Sequence, residues 1–172
     1  MKRSKLNAVI NLRIEQATQE EVPLLLTLIR GLAEYERLLD NVSATEERLR
    51  ASLFGERPYA EVLIAYDPTL NDKPVGYAIY FFTYSSFVGL PGLYLEDLFV
   101  VPESRGSGVG RHLLTFVAKK ADERGCRRME WAVLNWNEPA IGFYRSLGAE
   151  PMNEWTVYRL SDDKLDELTQ DM

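Results

Sequence analysis

One cysteine, Cys126, and one histidine, His112, occur in 172 residues. A lone cysteine closes no internal disulfide, so packing alone must hold the fold, and the natural address is cytoplasmic. Cys126 follows Gly125 and reads as a small hydrophobe beside a turn. No grouping of His, Cys and carboxylates at ligand spacing suggests a metal, and His112 reads as surface or packing rather than as a base. Basic charge is scarce too. Lys and Arg number 20 against 26 Asp and Glu, a formal net charge of −6. That balance excludes a general nucleic-acid binder, which needs a basic face for phosphates. No run approaches the ~20 apolar residues of a membrane span. The basic start Met1–Lys5 leads into a short apolar stretch broken by Asn7 and Asn11, which is no signal peptide. Repeats, linkers and low-complexity tracts are missing, so residues 1–172 read as one domain, with 1–7 flexible.

Nearly half the residues are apolar, enough for a real core. Ala8–Ile14 reads as a strand. Thr18-Gln19-Glu20-Glu21 is a capping box opening a helix with Val22, Leu25, Leu26, Ile29 and Leu32 on one face. Ser43-Ala44-Thr45-Glu46 reads as a second box, opening a helix that fades at Gly55. Strands are expected at Tyr59–Tyr66, Val75–Tyr84, Leu93–Val101, Met129–Leu134 and Trp155–Leu160. Helical spacing at Val109, Leu113, Phe116 and Val117 separates the third of these from the fourth. A helix over Asn137–Leu147 ends at Gly148, and Ser161–Thr169 reads as a small terminal helix. A meander followed by a βαβ unit predicts a mixed sheet of the α/β or α+β class.

The segment from Leu98 to Gly110 runs from strand through turn into helix. Its core, Arg105-Gly106-Ser107-Gly108-Val109-Gly110, has the makings of an anion cradle. Glycines let the backbone turn tightly and approach a ligand closely. Free N–H groups at the helix start favour negative charge, and Arg105 adds a cation at the mouth. A P-loop is excluded because its spacing and lysine are missing. A dinucleotide fingerprint fails as well, since its last glycine would fall on Arg111 or Leu113. A glycine-rich turn with no ligand stays open at this point.

Arg105-x-x-Gly108-x-Gly110 after Leu98-Phe99-Val100 resembles the cofactor motif of the GNAT acetyltransferase superfamily. Downstream, the run from Asn135 to Ala149, in which Asn137-x-x-Ala140-x-x-Phe143-Tyr144 leads into Gly148, is similar to that family's second signature. Tyr35-Glu36, Phe82-Thr83-Tyr84 and Tyr94-Leu95-Glu96-Asp97 resemble its diamine/polyamine branch. The resemblance implies a largely antiparallel sheet of six to seven strands, splayed between two central strands for the arm of acetyl-CoA. It assigns Leu98, Phe99 and Val100 to main-chain bonds with that arm. Arg105, Gly106, Ser107, Gly108, Val109, Gly110 and Arg111 would hold the pyrophosphate. Asn137, Pro139, Ala140 and Tyr144 would meet the cofactor from the far side. Asn137 also reads directly as an N-cap.

Transfer to an amine poses two proton problems. An alkylammonium near pKa ~10.4 must lose a proton before it can attack, and the departing thiolate leaves more easily once protonated. The resemblance gives Tyr144 the second task, since a phenol near pKa ~10 keeps its proton at neutral pH. It gives the first to Glu96, directly or through water. Strand alternation lets only one of Glu96 and Asp97 face a cleft directly, and the resemblance selects Glu96. Tyr35 and Glu36 would bind the acceptor, with Glu96, Glu130, Trp131 and Ala132 lining its site.

The substrate end departs from that branch. Ser85-Ser86-Phe87 stands where an aspartate and a tryptophan are expected, and Glu150–Trp155 aligns poorly. Fewer carboxylates weaken the grip on a long polycation. The resemblance implies a diamine, a polyamine or a lysine-like amino acid as acceptor, the departures point to a smaller diamine, a lysine-like amino acid or another amine, and the implied assembly is a homodimer. The rival readings are an acetyltransferase of protein amino groups and a non-catalytic acyl-CoA sensor.

Overall fold

The structure, a computed structural model, describes residues 11–161 and 163–170. The expected flexible stretch 1–7 and the first residues of the expected opening strand lie outside them. The described residues form two compact units that divide between Ala132 and Val133.

The first unit is built on one sheet in the order β1 (Arg13–Gln16), β2 (Glu61–Asp67), β3 (Lys73–Ser85), β4 (Leu90–Val100) and β5 (Met129–Glu130). All neighbours are antiparallel except β4 and β5, which are parallel. The class is the expected mixed, largely antiparallel one. The strand number differs, at five among the described residues.

Two helices lie on one face of the sheet. Thr18 opens the first as foreseen: its N–H donates to Glu21 Oε2 at 2.8 Å, and a 3-10 turn leads into α1 (Val22–Tyr35). Leu25 and Leu28 of α1 pack with Tyr77, Ile79 and Phe99 in the core. The second helix, α2 (Glu46–Phe54), is capped by Thr45, whose hydroxyl accepts from Arg48 N–H at 3.2 Å. The expected cap was Ser43. Ser43 instead uses its carbonyl to accept from the Arg48 side chain.

The next helix, α3 (Val109–Glu123), lies on the opposite face, because side chains alternate along β3. Tyr77 and Ile79 point to α1, whereas Gly76 points to α3. A Cβ on Gly76 would sit 2.5 Å from Phe99 O and 3.1 Å from Leu113 Cδ1, so glycine lets α3 approach the β3–β4 pair. Cys126 is buried at the end of α3, as a small hydrophobe should be.

The second unit holds α4 (Glu138–Ser146) and α5 (Asp163–Gln170). The strand expected at Trp155–Leu160 does not form, and Trp155, Val157, Tyr158 and Leu160 are exposed. A strand needs a ladder partner for its main chain, and this run pairs with none among the described residues. Met129–Leu134 is shortened for the same reason: only Met129 and Glu130 pair, with Leu93 and Tyr94.

Candidate active site

The short β4–β5 ladder leaves an open edge. Past Tyr94 no strand runs beside β4 on that side among the described residues. Val101 N–H donates to Val75 O at 3.0 Å, so alternation turns the main-chain groups of Phe99 toward β3 and those of Leu98 and Val100 outward. Leu98 therefore presents N–H and C=O groups as an added strand would need them, and Val100 presents its N–H, its C=O already accepting from Arg105 Nε. Phe99 presents neither. Its ring packs in the α1 core, 6.1 Å from the Tyr77 ring, so its expected main-chain role is corrected to a packing one.

The glycine loop follows directly. Gly106 and Gly108 have φ of 74° and 101°, left-handed values that glycine adopts without strain. A Cβ on Gly106 would meet nothing within 4 Å, so the loop has open space beside its backbone. Gly108 is the N-cap of α3, and no side chain caps the free N–H groups of its first turn. An extended arm along Leu98 and Val100 with a pyrophosphate at this helix start fits these features. The backbone of Gly106, Ser107, Gly108, Val109, Gly110 and Arg111 would hold the phosphates. His112 Nδ1 lies 3.0 Å from Gly108 O and thus belongs to the helix start.

Arg105 departs from expectation. Its guanidinium lies over the Tyr35 ring at 4.2 Å and 5.7 Å from the Phe99 ring, and Nε donates to Val100 O at 3.0 Å. The side chain turns back onto the end of α1.

The carboxylates are sorted by a bulge. Ile79 pairs with Asp97 and Tyr80 with Leu95, leaving Glu96 as the extra residue of β4. Glu96 is exposed at the bulge. Asp97, opposite Ile79, faces α1, and its Oδ2 accepts from the Tyr77 hydroxyl at 2.9 Å. Burial pushes the Asp97 carboxyl up to about 6; the charges of Glu96 and Glu36 add to this, and the Tyr77 hydrogen bond opposes it. Burial also raises Glu36, the C-cap of α1. Glu36 is thus within electrostatic reach of Asp97 and Tyr77, while Tyr35 lies under the Arg105 guanidinium. Sequence reasoning weighed Asp97 but chose Glu96 over it, and passed over Tyr77, because a bulge leaves no local mark in the chain.

Of the remaining acceptor candidates, Glu130 ends β5 and pairs with Arg128 at 3.0 Å. Trp131 and Ala132 follow it outside any regular element, partly buried and exposed respectively. In the second unit, Asn137 Oδ1 accepts from Ala140 N–H at 3.3 Å, the expected N-cap of α4. Pro139 sits in that first turn, where its missing N–H costs nothing. Tyr144 lies on α4 with its ring 5.3 Å from that of Phe143.

The model of the Acetyltransferase (GNAT) family matches residues 29–149. A thialysine N-epsilon-acetyltransferase of Bos taurus is 40% identical over 163 residues, which cover 90% of this chain and 95% of that protein. The L-ornithine N5-acetyltransferase NATA1 of Arabidopsis thaliana is 34% identical, with 89% and 86% covered. Among solved structures, an integron cassette protein from the mobile metagenome of V. cholerae superposes with a TM-score of 0.76 at 27% identity, over 92% of this chain and 98% of that one.

Proposed function

The chain belongs to the GNAT acetyltransferase family, and we propose that it transfers the acetyl group of acetyl-CoA to a primary amine of a small cationic acceptor. The observation that carries this reading is the open β4 edge at Leu98 and Val100, running into the uncapped start of α3. Acetyl-CoA supplies a thioester, an acyl carbon activated for attack by a neutral amine. The residues around it would bind, orient and move protons. Leu98 and Val100 align the arm, the backbone from Gly106 to Arg111 holds the pyrophosphate, and Asn137, Pro139 and Ala140 contribute the start of α4. Tyr144 holds a proton on Oη for the leaving sulfur.

Glu96 draws the ammonium and accepts its proton, directly or through water. Tyr35, Glu36, Glu130, Trp131 and Ala132 line the acceptor site. A lysine-like amino acid or short diamine is favoured over a long polyamine. Support comes from the thialysine and L-ornithine enzymes among the relatives and from the missing carboxylate around Ser85–Phe87. The reading includes a cytoplasmic address, from the single cysteine, and a homodimer using exposed Phe87 and Val88 near the β3–β4 turn. No helix among the described residues is long and apolar enough to cross a membrane.

The test is an amine panel with acetyl-CoA, following thiol release, on wild type and Tyr144→Phe. Turnover should fall roughly 10²–10⁴-fold in the mutant while CoA binding holds. Equal rates would remove Tyr144 from the chemistry. CoA binding with no thiol release from any amine would favour the sensor.

A further inference from the structure

Arg105 belongs to the loop by sequence but to the end of α1 by contact. Three interactions fix its side chain: the face of Tyr35, the ring of Phe99 and the carbonyl of Val100. A guanidinium 4.2 Å from a ring centroid is within cation–π range, and its flat fork suits such stacking. The Nε bond adds direction, because it holds the guanidinium to one main-chain oxygen. Reaching a pyrophosphate in front of the Gly106–Gly108 turn would mean giving up these contacts. That turn already has backbone N–H groups for the purpose and needs no side chain.

We propose that Arg105 is a positioning residue for the amine acceptor, a strut that ties the cofactor loop to Tyr35, rather than a side-chain ligand of the pyrophosphate. Tyr35 ends α1, and its neighbour Glu36 is the helix C-cap, where the chain leaves regular structure and Arg37 takes φ 62°. A helix end frays unless something outside it holds it. Arg105 supplies that hold from the loop whose backbone meets the phosphates. The two binding sites are then linked through one side chain. The proposal rests on the acetyl-transfer reading above.

The test measures amine KM, kcat and CoA Kd for wild type, Arg105→Gln, Arg105→Lys, Tyr35→Leu and the double variant Arg105→Gln/Tyr35→Leu. Arg105→Gln should raise amine KM about tenfold, with CoA Kd and kcat changed less than about threefold. Arg105→Lys keeps a cation over the ring and should recover part of the loss. In the Tyr35→Leu background, Arg105→Gln should add less than about twofold, because the strut is already gone. A rise in CoA Kd with amine KM unmoved, or fully additive effects, would overturn the proposal. The same cycle on the urea midpoint needs no turnover. If wild type acetylates no amine, the proposed function fails alone, and non-additive midpoints still support the strut while additive ones remove it.

Discussion

Tyr77 and Asp97 meet diagonally across the β3–β4 ladder. The phenol donates to Oδ2 at 2.9 Å, although the residue directly opposite Tyr77 is Phe99 and the one opposite Asp97 is Ile79. Tyr77 is fully buried, and its hydroxyl is pushed well above the ordinary phenol range by burial and by the Asp97 charge beside it. It therefore acts only as a donor. Its bond stabilises the ionised carboxylate, while burial and the charges of Glu36 and Glu96 oppose ionisation. Burial prevails.

A pH dependence of stability follows. The folded Asp97 carboxyl titrates near 6, against about 3.9 in an unfolded chain, so the folded state holds the extra proton between those values. Unfolding free energy should fall as pH rises from about 4 to about 6 and then level, by at most about 3 kcal/mol. Glu36 is shifted the same way and adds to the slope. Urea unfolding at stepped pH measures it. Asp97→Asn should flatten the curve, and an unchanged slope in that variant would refute the assignment.

Removing the donor should make Asp97 harder to ionise. Tyr77→Phe deletes one hydrogen bond to a buried carboxylate, worth about 1.5–3 kcal/mol of stability near neutral pH. The loss should shrink below about pH 5, where Asp97 is protonated. Thermal melts of the single and double variants with Asp97→Asn check this. Additive losses would mean that the pair does not interact.

Gly76→Ala tests how closely α3 approaches the sheet. The new methyl would stand 2.5 Å from Phe99 O, which is backbone and cannot swing aside. Overpacking of this kind costs about 1–3 kcal/mol. A urea midpoint equal to wild type would show that the strands part freely there.

Gly106→Val separates binding from folding. A Cβ there meets no protein atom within 4 Å, so the main cost to the fold is the left-handed φ, which for a β-branched residue exceeds the about 1–2 kcal/mol of an ordinary side chain. The methyls would occupy the space assigned to phosphate. CoA Kd from calorimetry should rise more than tenfold while the circular dichroism spectrum is kept. Unchanged affinity would move the pyrophosphate elsewhere.

Local signals in the chain were legible. Thr18 with Glu21 forms its box because both partners lie within one turn. Near the second helix, Ser43 and Thr45 are both capable caps, and the choice of Thr45 depended on where Arg48 N–H falls. Trp155–Leu160 has strand-like residues but no ladder, and residue type does not supply a partner.

The sequence by itself determined the order of elements as far as α4, the glycine turn before α3 and the N-cap at Asn137. Each is decided within a few residues, by φ freedom or by one side chain reaching a nearby N–H. Only the tertiary structure decided which carboxylate of Glu96 and Asp97 faces α1, and where Arg105 points. The first depends on a one-residue slip between β3 and β4, the second on α1 ending beside the loop. Strand alternation allowed only one of the two carboxylates to face a cleft, and the resemblance selected Glu96. The bulge leaves Glu96 exposed and turns Asp97 to α1, because register is set by pairing between strands distant in sequence.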